Sequence, residues 1–132
     1  MTKKDRAEMY ARFLASIGYR VYIKDNNDVI IEYDSCAYKL RMEMYDDDSF
    51  VRIVLPNFRL LHSKEERAKA KAAASLTTQA VKCAKVFTAG DEVDAVVELF
   101  LPDPTAIRSV FGRCIQALAD AALVFTHNMA SL

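Results

Sequence analysis

The sequence predicts an α+β domain in which an antiparallel sheet carries helices on one face. Three observations predict it. Apolar residues recur at helical spacing in the first and last segments, they alternate with polar residues through most of the rest, and short Asn-, Asp- or Gly-containing turns separate the alternating runs. At 132 residues the chain has the length of a single domain, taken as residues 1–132, and 52% hydrophobic with 27% charged residues is the balance of a chain able to bury a core.

The first element reads as a helix. Thr2 is placed to cap it, with Asp5 three residues on, and Tyr10, Phe13, Leu14 and Ile17 form one apolar stripe that ends at Gly18. Four strands follow. In the first, Tyr19, Val21 and Ile23 alternate with Arg20, Tyr22 and Lys24. Asp25-Asn26-Asn27-Asp28 supplies a turn, because Asn and Asp accept the backbone conformations that hairpins need. Val29 to Asp34, Tyr38 to Tyr45 and Phe50 to Leu55 alternate in the same way. Turns near Asp34-Ser35 and at Asp46-Asp47-Asp48-Ser49 separate them, and Pro56 is expected to end the fourth strand. Such short connections favour an antiparallel meander.

Ser63 with Glu66 forms a second capping signal, opening an Ala-rich helix through about Thr77. Val81 to Phe87 and Glu92 to Leu101 read as strands joined by a hairpin at Ala89-Gly90-Asp91. Asp103 before Pro104 starts a long last helix, to about Asn128, with the stripe Ile107, Val110, Phe111, Cys114, Leu118, Ala121 and Phe125. The order is therefore α-β-β-β-β-α-β-β-α, with the helices packed on the sheet. Gly112 interrupts the last helix and is read as a point of close packing on the sheet.

The inventory of reactive residues points away from catalysis. With 18 basic and 18 acidic side chains the formal charge is zero, whereas proteins that grip nucleic acid by its phosphates carry a basic excess. No serine sits in a GxSxG elbow, and three glycines are too few for a phosphate-binding loop. His62 and His127 lie far apart in the sequence, with no ligand or acid–base partner at useful spacing. Asp46-Asp47-Asp48 reads as a solvated turn rather than a cation site, and the Asp25 segment fails as a calcium loop because Ile30 stands where glycine is needed. Cys36, Cys83 and Cys114 read as reduced thiols of a cytoplasmic protein, two of them in the core. Neither a secretory leader nor a membrane span is expected. No enzyme activity, cofactor or metal follows from these residues.

Two surfaces remain. Lys64, Arg67 and Lys71 share a face of the Ala-rich helix, forming a basic patch. If Val21, Ile31, Leu40 and Ile53 face the helices, then Tyr22, Ile30, Tyr45, Phe50 and Val54 emerge on the other side of the sheet among Arg41 and Arg52. Aromatic and aliphatic groups mixed with arginine resemble an interface, to be covered by the Ala-rich helix, a second copy or another polypeptide.

The helix ending at Gly18-Tyr19, the strand ending at Leu55-Pro56, the capped Ala-rich helix, the Gly90-Asp91 hairpin and the final long helix together resemble the YbjN family of bacterial sensory-transduction regulators. That family's fold is similar to the type III secretion chaperones. The resemblance implies a non-enzymatic, polypeptide-binding protein that acts as a homodimer, chaperone-like or regulatory, and carries over no functional residue. The alternative function is a small-molecule or cation sensor with a pocket between helix and sheet.

Overall fold

The structure, a computed structural model, describes residues 1–32 and 39–132. The expected turn at Asp34-Ser35, Tyr38 and Cys36 lie outside the described residues. The elements are α1 (Lys3–Ser16), β1 (Arg20–Ile23), β2 (Val29–Glu32), β3 (Lys39–Glu43), β4 (Phe50–Leu60), α2 (Lys64–Ala80), β5 (Ala84–Ala89), β6 (Glu92–Phe100), a 3-10 turn at Pro104–Ala106 and α3 (Ile107–Ser131). The strands form one six-stranded sheet in the order β1-β2-β3-β4-β6-β5, the α+β antiparallel architecture expected from the sequence. The chain divides into two compact units, residues 1–54 with 98–111, and residues 55–97 with 112–132.

In the first unit the caps form as the sequence implies. The Thr2 hydroxyl accepts from the Asp5 N–H at 3.0 Å, and Gly18 takes φ +100° after the helix. The β1–β2 hairpin has a three-residue loop. Asn27 N–H donates to the Lys24 carbonyl, Lys24 N–H donates to that of Asp28, and Asn27 sits at φ 70°. On the helix side, Val29, Ile31, Leu40, Met42 and Ile53 are buried with Tyr10 and Leu14, while Phe13 and Tyr19 meet Phe111 edge-on, with centroids 6.3 and 5.7 Å away. Ile17 departs from the expected stripe. It is the residue that caps α1, and it is exposed.

Arg6 is the unexpected member of this core, 1% exposed. Its guanidinium donates to the Tyr45 carbonyl, and its Nε lies 3.1 Å from Asp48 Oδ1. Asp46 pairs with Lys3 at 3.4 Å and Asp47 accepts from the Ser49 N–H at 2.9 Å. The acidic turn is thus an anchor for α1 rather than a purely solvated loop.

In the second unit β4 does not stop at Pro56. It continues to Leu60 through Asn57 at φ 45°, whose N–H is taken by the Asp94 carboxylate at 2.7 Å. The Asp94 side chain therefore replaces a ladder bond where the backbone kinks, and the strand resumes with Phe58 edge-on to Phe125. Helix α2 runs three residues beyond the expected Thr77. Strand β5 accordingly starts at Ala84 rather than Val81, after Cys83 at φ 64°. The Ser63 hydroxyl caps the Glu66 N–H, and the Glu66 carboxylate accepts from the His62 N–H rather than from Ser63 itself.

Pro104–Ser131 is long and apolar enough by composition to cross a membrane, but Ile107, Phe111, Leu118 and Phe125 are core residues of their respective units. Gly112 is exposed, and a methyl group there would meet nothing within 4 Å, so the close packing expected of it is absent. Of the described cysteines, Cys114 is buried in the core and Cys83 is exposed.

Candidate binding face of strands β1 to β4

The side of the first unit's sheet away from α1 is set by strand register. Tyr22 pairs with Ile30, Ile30 with Arg41, and Arg41 with Val54, which places four of the expected binding residues in one row across four strands. In the neighbouring row Glu43 pairs with Arg52. Because side chains on directly opposed residues share a face, the alternation legible in each strand becomes a continuous surface.

That surface has a polar centre. The Glu43 carboxylate accepts from Arg41 Nε at 2.9 Å, from Arg52 at 2.7 Å and from the Tyr45 hydroxyl at 2.7 Å. Arg52 Nε lies 3.4 Å from Glu98. Burial alone would raise the Glu43 pKa, but the Tyr45 and Arg52 hydrogen bonds and both arginine charges outweigh it and hold the carboxyl below its ordinary value. The same hydrogen bond, with some burial, raises the Tyr45 hydroxyl. The group is a charge network of two arginines and two glutamates in which the buried Arg52 Nε makes no hydrogen bond and holds Glu98 only at ion-pair distance.

Beside it lies an aromatic cluster. Phe50 stands 5.2 Å from Tyr45 and 5.6 Å from Phe100, centroid to centroid, and Phe100 is 72% exposed. Tyr22, also exposed, lies under the Lys39 ammonium at 5.5 Å. Ile30 and Val54 occupy the same face but are only 8% and 1% exposed, so they are floor rather than contact surface. Phe100, Glu43 and Glu98 belong to the site although the sequence reading did not select them. A period-two reading of Glu92 to Leu101 would have placed Glu98 and Phe100 on one face of their strand. That this strand lies beside β4 is a non-consecutive pairing that no local pattern shows.

The basic patch belongs to the second unit. Lys64, Arg67 and Lys71 lie on α2, but Arg67 is paired with Asp91 at 3.0 Å, leaving Lys64 and Lys71 exposed. Lys71 also borders a groove of about 460 Å³ between α2 and β5, with Ser75, Thr78, Gln79 and Thr88. Among the described residues no three of His, Cys, Asp and Glu converge as metal ligands, and both histidines are exposed.

No protein-family model matches the chain, and no curated protein matches it in sequence. Among solved structures it is similar to YbjN, a proposed transcription regulator from E. coli, with a TM-score of 0.64 over 94% of this chain and 91% of that one. At 9% identity the likeness is one of fold. The α+β fold implied by the sequence resemblance is therefore the fold that the chain shares with YbjN.

Proposed function

We propose that this chain is a non-enzymatic polypeptide-binding protein of the cytoplasm, regulatory or chaperone-like, that acts as a homodimer through the outer face of β1 to β4. The observation that carries the reading is the aromatic cluster Tyr45–Phe50–Phe100, open to solvent beside a neutralised arginine–glutamate network. Exposed rings contribute binding energy when a partner removes them from water, while paired charges set orientation. The fold shared with a proposed regulator supports a regulatory role, and the zero net charge favours regulation through protein contacts over direct grip on DNA.

The double variant Phe50→Asp, Tyr22→Asp tests this. Light scattering should show loss of self-association, and co-purification should lose a polypeptide partner held on the outer face, with the helix-side core still folded. A wild-type protein that stays monomeric and captures no polypeptide at any salt concentration would remove the reading. A second reading rests on the α2–β5 groove, where Lys71, Ser75 and Gln79 could recognise a small anionic metabolite. A thermal-shift screen decides it, since a ligand that binds only the folded state raises the melting temperature.

A further inference from the structure

The two edge strands of the sheet are finished differently. At β5 the Thr78 hydroxyl accepts from the Val86 N–H at 2.9 Å and donates to the Val86 carbonyl at 3.2 Å, while the Ala84 N–H is taken by the Lys82 carbonyl at 2.7 Å. Both outward backbone groups of Val86 and the outward N–H of Ala84 are therefore occupied. At β1 no such partner is present among the described residues. Lys24 N–H donates to the Asp28 carbonyl across the hairpin, so hydrogen-bonded pairs fall at Lys24, Tyr22 and Arg20. Val21 and Ile23 are the alternate, non-bonded pairs with β2, and their N–H and C=O groups point out of the sheet. Among the described residues neither has another backbone hydrogen bond, and Tyr22 and Ile23 are 47% and 39% exposed.

The geometry points to β1 as a docking edge for an extended, acidic–apolar polypeptide segment that adds to the sheet as an antiparallel seventh strand. Four backbone groups, two on Val21 and two on Ile23, supply the ladder. Side chains opposite Val21 and Ile23 fall on the helix side and are apolar. Those opposite Arg20 and Lys24 fall on the outer face. The Arg20 side chain is 88% exposed, with one weak pairing to Glu32 at 3.8 Å, and Lys24 pairs with no described residue. The matching residues are therefore acidic. A second copy is a poor occupant, because pairing β1 with itself about Tyr22 sets Arg20 opposite Lys24 of the other copy, and opposed like charges destabilise a ladder. This inference rests on the polypeptide-binding reading and adds to it a second point of attachment, separate from the aromatic face.

The test uses the full chain, labelled with nitrogen-15, and the peptide acetyl-Ser-Glu-Val-Thr-Val-Glu-Ser-amide. Binding should shift the Val21 and Ile23 amide resonances and slow their hydrogen exchange. Methylating both valine amide nitrogens of the peptide should weaken binding by about tenfold or more, as expected for two lost hydrogen bonds. Ile23→Pro should do the same, removing one outward donor at an edge where proline is tolerated. If that variant misfolds, the methylated peptide decides alone. Phe50→Asp should leave this binding unchanged, which separates the edge from the aromatic face. The idea is overturned by no binding at about 1 mM peptide, or by equal affinity for the methylated peptide. Shifts confined to Tyr45, Phe50 and Phe100 would overturn it while leaving the outer-face reading intact.

Discussion

The two compact units are stabilised by different means. The first, residues 1–54 with 98–111, is built on large groups: buried Tyr10, Phe111 with the rings of Phe13 and Tyr19 edge-on to it, and the buried guanidinium of Arg6. The second, residues 55–97 with 112–132, buries Phe125, Leu118 and Met129 together with the small α2 residues Ala70, Ala73 and Ala74, and is pinned by hydroxyl groups. Thr77, fully buried, donates to the Ala73 carbonyl and accepts from Asn128, and Thr78 closes the β5 edge. Small side chains bury little area each but let backbones approach, so polar pins become useful. The second unit has its β5 edge plugged at Val86. The first keeps exposed aromatic rings and, among the described residues, open backbone groups on β1, which is where we propose binding.

This contrast predicts a graded set of effects. The largest belongs to the aromatic core. Phe111→Ala removes the ring against which both Phe13 and Tyr19 stand, and should cost about 3–5 kcal/mol of unfolding free energy. Urea denaturation measures it. A cost below about 1 kcal/mol, the range of an ordinary surface change, would show that the first unit does not depend on this cluster.

Thr78→Val keeps the shape and removes both bonds to Val86. About 1–2 kcal/mol should be lost, since two backbone groups lose their partner at a half-buried site. Concentration-dependent association should rise as well, because the β5 edge is then unplugged. Unchanged stability with no new association would mean that Thr78 is incidental, and the contrast between the two edges would weaken.

What the sequence made legible follows distance along the chain. Both N-terminal helix caps, the Asn27 turn and the glycines at positions 18 and 90 are local devices, and each forms where its residues stand. The outer face was legible as alternation within each strand, which placed Tyr22, Ile30, Arg41 and Val54 together before their register was known. The features that escaped depend on remote partners. Arg6 reads as one more charge on a helix until the Tyr45 carbonyl, 39 residues away, takes its proton donor. Pro56 reads as a stop until Asp94, 37 residues from Asn57, satisfies the kink that follows. Phe100 joins the site only because β6 lies beside β4.

The charge network gives a smaller and pH-dependent effect. The folded-state pKa of Glu43 lies below its ordinary value, so its stabilisation is present above the unfolded-state value, about 4.3, and is lost as pH falls through the folded one. Glu43→Gln should therefore cost about 1 kcal/mol at neutral pH, a partly exposed network being screened by water. The wild-type and variant stability curves should converge in acid. Parallel curves across that range would show that Glu43 acts by shape alone.

The smallest effect has the opposite sign. Gly112 stands in α3 at the first residue of the second unit's helical segment, exposed, with helical neighbours on both sides. Helix interiors disfavour glycine because the unfolded chain has more freedom to lose there, and a Cβ at this position meets nothing within 4 Å. Gly112→Ala should raise stability by about 0.5–1 kcal/mol, read as a higher urea midpoint with an unchanged slope. A loss of stability would mean that a copy or partner packs against this bare stretch of backbone. In that case the loss should appear only at concentrations where the protein is associated, and dilution should restore the expected gain.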